Sequence, residues 1–150
     1  MTKLIYIPIL LLFVACTLDS RQEEKLNVAF EDYKKSHNED LMLQYVALTH
    51  VKVVAHYKAK GELKFIEHFQ QPKVDSLRAY FGEHFVKDTK EDGKYIQRCY
   101  TVEKYNEYKE FDSKYKIYAC SEDEGNTWFF INEDDYFDMS IPLKKRLFKK

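Results

Sequence analysis

The chain has 150 residues, 45% of them apolar and 16% aromatic, with 24 basic against 25 acidic side chains and a formal charge of −1 at pH 7. That balance argues against a nucleic-acid partner, which would need a basic face. Twelve Tyr and eleven Phe, against four Gly and three Pro, argue against a disordered chain and for one packed domain.

The chain opens MTKLIYIPILLLFVAC, with one early cation at Lys3, an apolar run over residues 4–14 and the small Ala15 directly before a thiol. This is the layout of an export signal. The run is about a dozen residues long, whereas roughly 20 are needed to span the hydrocarbon core, so removal by a peptidase is expected rather than a membrane span. Phe13-Val14-Ala15-Cys16 resembles the lipobox of bacterial lipoproteins, whose first position is usually Leu where this chain has Phe13. The resemblance implies loss of residues 1–15, diacylglyceryl attachment and N-acylation at Cys16, and a domain held on the membrane by two or more acyl chains. Thr17 after the cysteine favours the outer membrane over retention at the inner one, and residues 16–21 read as a tether. Residues 22–150 are then a single domain in the cell envelope.

Over residues 22–37, Leu26, Ala29, Phe30 and Tyr33 form one apolar stripe of helical period. Ser36 and Glu39 have the spacing of a capping box and open a second helix over 39–49, with Leu41, Met42, Tyr45 and Leu48 inward. The β-branched VKVVAHY predicts a short strand over 51–57, with a longer second helix as the alternative. A third helix opens at Gly61, turns Leu63, Ile66 and Phe69 to one side, and is stopped by Pro72.

Beyond Pro72 the period changes to two, predicting strands over 74–88, 95–105, 115–121 and 128–132, with a turn at Glu91 to Gly93. In the first, Leu77, Ala79, Phe81 and Phe85 share a face, and Gly82 marks a bulge or bend. Helices followed by a meander define an α+β domain whose sheet curls around the helices. The end, PLKKRLFKK, reads as a solvated basic tail.

This order, and the run YKKSHNEDLMLQYVALTHVKVVAHYKAKGELKFIEHF, resembles the SnoaL-like branch of the nuclear transport factor 2-like superfamily over residues 22–132. The resemblance implies a cone-shaped roll, of the cystatin-like kind, with N-terminal helices inside a strongly curved antiparallel sheet and a pocket at its open end. Tyr45, His56, Phe69, Tyr100 and Trp128 are the residues placed to line that pocket; each can equally be an ordinary core or rim residue.

Two further patterns bear on function. Centring the loop NEYKEFDS opposes Val102 with Ile117, Tyr100 with Ala119 and Cys99 with Cys120, so these cysteines are either a disulfide or two packed thiols. SEDEGNTW, residues 121–128, is similar to the Asp-box of sialidases and reads as a turn clasp in which Asp123 receives backbone donors and Gly125 takes a positive φ.

Glu133, Asp134, Asp135 and Asp138 lack the ligand spacing of a calcium loop and read as a solvated acidic turn, so no metal is expected there. The five histidines form no HExxH pair, no catalytic triad is visible from spacing, and no Gly-rich phosphate loop implies a cofactor. The best acid–base pair is His56 with Tyr45 or Tyr100. The expected function is therefore a membrane-tethered envelope domain that binds a small ligand or a protein, alternatively a small isomerase- or dehydratase-like enzyme. Both faces of the last strand want cover, which a homodimer, a partner or a loop would supply.

Overall fold

The computed structural model of the chain describes residues 18–74, 77–138, 140–143 and 146–148, so Cys16 and its leader lie outside the described residues. Four helices come first: α1 (Ser20–Asn38), α2 (Met42–Leu48), α3 (Val51–Ala59) and α4 (Glu62–Phe69). Then follow β1 (Tyr80–Asp92), β2 (Tyr95–Tyr105), β3 (Phe111–Ser121), β4 (Phe129–Asn132) and α5 (Glu133–Phe137). The strands form one antiparallel sheet in the order β1-β2-β3-β4, and the fold is α+β.

α1 starts inside the stretch expected to be a tether. Asp19 and Gln22 form a reciprocal capping box there, each side chain accepting the other's backbone N–H at 2.8 Å. Its apolar stripe is buried as the period requires, with Leu26, Phe30 and Tyr33 essentially inaccessible. The cap expected at Ser36 does not form: its hydroxyl donates back to the Tyr33 carbonyl at 2.8 Å and α1 runs through it to Asn38. The helix stops where Asp40 takes a positive φ of 58°. α2 is consequently shorter than expected, and Leu41 stays exposed.

The strand expected over 51–57 is helix α3, separated from α2 by Thr49 and His50. Only Thr49 keeps β character, as a parallel bridge to Phe130. The local β preference loses because His50 caps the new helix, its ring accepting from Lys52 N at 3.2 Å, and because a helix buries Val53 completely. In α4, Phe65 and Phe69 pack inward, while Leu63 and Ile66, expected on the buried face, are exposed.

β1 begins six residues later than expected and continues to Asp92, leaving Leu77 outside it and exposed. A register shift between Phe81 and His84 brings the bulge expected at Gly82. A Cβ at Gly82 would collide with the Tyr105 ring. The bulge also breaks the expected alternation: Phe81 is buried, but Phe85 faces solvent and His84 turns in against Phe30 and Tyr100.

β2 and β3 pair two residues out of the expected register, with Tyr100 opposite Ile117, Cys99 opposite Tyr118 and Cys120 opposite Gln97. The loop is pulled towards its start by Asn106, whose carboxamide oxygen accepts from Tyr108 N and Glu110 N at 3.0 Å each. Of the two arrangements open to Cys99 and Cys120, the structure has two free, buried thiols. Burial pushes both thiols up, Cys120 to about 12, which keeps them protonated and unreactive.

The sheet has two covered faces. On one, Tyr100, Ile117 and Phe130 meet α1: Phe30 stacks on Tyr100 with ring centres 3.8 Å apart, and Tyr33 on Phe130 at 4.7 Å. The Arg98 guanidinium reaches the same helix in a bidentate pair with Glu23. On the other face Tyr118 stacks on Tyr136 of α5 at 3.8 Å, and Ile131, Ile141 and Phe148 fill in around them. The tail expected to be solvated is thus a strap, because Leu143, Leu147 and Phe148 pack against the core amid its cations, next to Ile141.

The strap is fixed through the fully buried Gln97. Its Oε1 accepts from Leu147 N at 3.1 Å and lies 2.9 Å from the Tyr136 hydroxyl, which itself accepts from Phe148 N at 3.0 Å. Tyr136→Phe leaves Phe148 N unpaired in the core and is expected to destabilise the fold by about 1–3 kcal/mol, read from urea unfolding midpoints. Denaturing the chain without reductant should expose both Cys99 and Cys120 to alkylation, each adding one adduct mass; a resistant pair would refute the free-thiol arrangement.

Candidate functional site

Where α1 ends, α2 and α4 and the start of α5 leave a half-open cleft of about 180 Å³ beside the sheet. Its wall includes His37, Asp40, Tyr45, Glu67, His68 and Asn132. Phe69, Gln71 and Pro72 complete it, because Pro72 ends the chain's helical course and sends it back across the tip of α1.

The floor is a closed ring of hydrogen bonds. Tyr33 donates to Asn132 Oδ1 at 2.9 Å, Asn132 Nδ2 donates to the Tyr45 hydroxyl at 2.9 Å, and the two tyrosine hydroxyls are 3.2 Å apart. Running Tyr45 to Tyr33 to Asn132 and back uses each donor once. Burial pushes both tyrosines above their ordinary pKa, so both stay protonated. Asn132 precedes α5 but does not cap it with its side chain, because the carboxamide is committed to this ring.

One wall is built on His68. Its Nε2 lies 3.1 Å from Oδ2 of Asp135, and Oδ1 of the same carboxylate accepts from the Tyr57 hydroxyl at 3.1 Å. Tyr57 also stacks flat on the His68 ring, centres 3.6 Å apart. Asp135 is only 3% exposed, so a buried carboxylate orients an imidazole at the cleft. Burial, then the charge of Asp135, pushes the Tyr57 hydroxyl well up, so it remains a donor. Among the described residues, Nδ1 of His68 has no hydrogen-bond partner.

The opposite wall is held by Gln71 and Asn38. Gln71 N donates to Asp40 Oδ1 at 2.8 Å, and its Nε2 lies 2.9 Å from His37 Nε2 and 3.0 Å from the Ala79 carbonyl. Asn38 pairs with both backbone groups of Phe81, at 2.8 and 2.7 Å, and its Oδ1 is 3.2 Å from His37 Nδ1. His37 stacks on Phe81 at 4.0 Å, and burial lowers its pKa from 6.5 to about 4.

Of the five residues expected to line one pocket, Tyr45 and Phe69 meet in this cleft, with ring centres 6.0 Å apart. The other three lie elsewhere. Tyr100 is fully buried under Phe30 and cannot meet a ligand. Trp128 is 5% exposed, its Nε1 donating to the Gly125 carbonyl at 3.1 Å, beside a shallow groove with Val28, Ala29 and Leu48. His56 faces Tyr57 edge-on from α3, its Nε2 buried without a hydrogen-bond partner, so neither acid–base pair proposed for it is assembled.

The acidic run is corrected too. Asp135 is a buried partner of His68, and Asp134 accepts from the Tyr115 hydroxyl at 3.0 Å, because a single helical turn must bury Tyr136 and carries Asp135 in with it. The turn at residues 121–128 has the clasp geometry its residues suggest. Asp123 accepts from Asn126 N and Thr127 N at 3.1 and 2.8 Å, and Gly125 takes a φ of 81°. Gln22 and Lys25 of α1 bond to this turn at Glu124 and Asn126, away from the cleft. The chain matches no family model, and no curated protein and no solved structure is significantly similar to it.

The cleft has a built-in acid sensitivity. Between pH 6.5 and about 4 the unfolded chain holds a proton on His37 that the folded chain does not. The stability due to the neutral ring is therefore fully present above 6.5 and is lost as the pH falls towards 4, with a slope below about 1.4 kcal/mol per pH unit. His50 and His84, also lowered by burial, act in the same direction. Urea midpoints should fall between pH 7 and 5, and His37→Phe, which keeps the stack on Phe81, should flatten part of that fall.

Proposed function

We propose that the chain is a lipoprotein of the cell envelope, anchored through Cys16, whose domain binds a small polar ligand in the cleft between α1, α2 and α4. The observation that carries the binding reading is the half-open cleft itself, with polar side chains converging on it over a rigid hydrogen-bonded floor. The anchoring reading rests on FVAC and the apolar leader before it. No helix among the described residues is long and apolar enough to cross a membrane.

The resemblance to SnoaL-like domains is kept as part of this proposal. What supports it is the order of helices before a meander, register shifts in the long strands, and α1 packed along one sheet face. In such a roll the cleft lies where the helices leave the sheet uncovered.

A second reading, a small isomerase- or dehydratase-like envelope enzyme, is favoured by the Asp135–His68 pair. A buried carboxylate that orients an imidazole at a cleft is the arrangement a proton-transfer base requires. Among the described residues that line the cleft, the one aliphatic hydroxyl, Ser36, is buried and donates to the Tyr33 carbonyl.

Two measurements test the proposal. Labelled fatty acid should be incorporated into the expressed chain and lost in Cys16→Ser; an unlabelled chain, or a variant processed and localised as before, sinks the anchor. Thermal unfolding against a library of small polar metabolites should yield stabilising compounds. Gln70→Trp, which adds bulk at the cleft from a half-buried position whose side chain makes no hydrogen bond among the described residues, should abolish their effect. Hits indifferent to that substitution would place binding elsewhere.

A further inference from the structure

The donors and acceptors of the cleft are unevenly committed. The Tyr33, Tyr45 and Asn132 hydrogen bonds close on one another, and the Gln71 amide is spent on backbone carbonyls. The acceptors are not so committed. Asp40 uses Oδ1 for Gln71 N, Glu67 uses Oε2 for Lys64, and His68 uses Nε2 for Asp135. Among the described residues Asp40 Oδ2, Glu67 Oε1 and His68 Nδ1 have no partner, so three groups, one from the α1–α2 connection and two from the last turn of α4, border one cavity.

Charge and shape narrow the choice further. The lining includes two carboxylates and no Lys or Arg. Lys64 offsets part of the charge of Glu67, and Lys104 and Arg78 are felt by His37, but none of the three lines the cavity. The rings of Tyr45 and Phe69 supply π surfaces of the kind that attract a cation. A volume of about 180 Å³ is that of about six water molecules at liquid density, which limits the guest to a short chain or a small ring.

We infer that the cleft takes a small primary ammonium compound, of the size of a short alkyl diamine, whose N–H donors are received by His68 Nδ1, Asp40 and Glu67. This deepens the binding proposal and rests on it. The ligand's donors match what the site lacks, and its charge matches what the site carries. Asp135 is a positioning residue here: its carboxylate lies 3.1 Å from Nε2 of His68, and a neutral ring that donates there presents Nδ1 as an acceptor.

The purified full-length chain is titrated in parallel with 1,4-diaminobutane, 1,4-butanediol and succinate. These share a four-carbon span but differ in charge, and binding is read by calorimetry and by the ¹⁵N resonance of His68 Nδ1. The diamine should bind and shift that resonance, the diol should bind at least about tenfold more weakly, and the diacid should not bind. Glu67→Gln, at an exposed position, should weaken the diamine at least about tenfold, the loss of one charge-assisted hydrogen bond. His68→Gln should do the same, and Glu91→Gln, on the distant hairpin, should change nothing.

Equal binding of diol and diamine, preference for the diacid, no binding of the diamine, or diamine binding untouched by Glu67→Gln and His68→Gln would each overturn the inference. Library compounds whose effect is abolished by Gln70→Trp would still establish the cleft, so loss of the amine chemistry is distinguishable from loss of the site.

Discussion

The seating of α1 on the sheet is the constraint from which the rest follows. Phe30 lies flat on Tyr100, Tyr33 on Phe130, and Glu23 meets Arg98, so a single helix is fixed along its length to β2 and β4 by stacked rings and one charged pair. Stacked aromatic pairs contribute about 0.5–1.5 kcal/mol beyond their buried area, and their planes also restrict rotation of the helix. Tyr33 is in this seam and in the cleft floor at once, so the geometry of the site is inherited from the core.

The second face of the sheet supplies the other half of that dependence. α5 is one turn long and could not hold itself; it is held because Tyr136 stacks on Tyr118 and its hydroxyl joins Gln97 and the returning strap. That anchoring fixes Asp135, the residue before Tyr136, against His68 and Tyr57. The carboxylate that orients the cleft's imidazole is therefore placed by packing on the far side of the sheet.

Where a residue's role is decided by its own periodic pattern, the sequence was legible: the stripe of α1, the limits of β2 and the Gly82 bulge all follow from local rules. Legibility fails where a distant partner decides. VKVVAHY has β-branched residues at a strand's density, yet it is a helix because His50 caps it and Val53 finds the core. The β2–β3 register depends on the side chain of Asn106, which no alternation of apolar residues reveals. Tyr45 and Phe69 are placed near one cavity by the pocket that the SnoaL-like resemblance implies, whereas His68 and Asp135 are brought together across sixty-seven positions of chain by contacts that neither segment specifies. The acidic run looked solvated because its charges were counted without the Tyr and Phe that follow them.

The cleft exists because the same elements cannot fill the corner they create. α1 ends at Asn38, whose side chain takes over the backbone pairing of Phe81, and the chain must reverse at Asp40 in a left-handed conformation before α2 can begin. α4 approaches from the other side and Pro72 follows it, so its last turn presents Glu67, His68 and Phe69 to a gap that the Tyr45–Phe69 ring contact and the Asp40–Gln71 bond border but do not fill. A gap between apolar walls of this size would tend to collapse or stay dry. Here the walls carry buried polar groups that must be satisfied, and the ring of Tyr33, Tyr45 and Asn132 satisfies its own members without reaching outward. What remains at the gap are the side chains of Asp40, Glu67 and His68, which take no part in that closed ring.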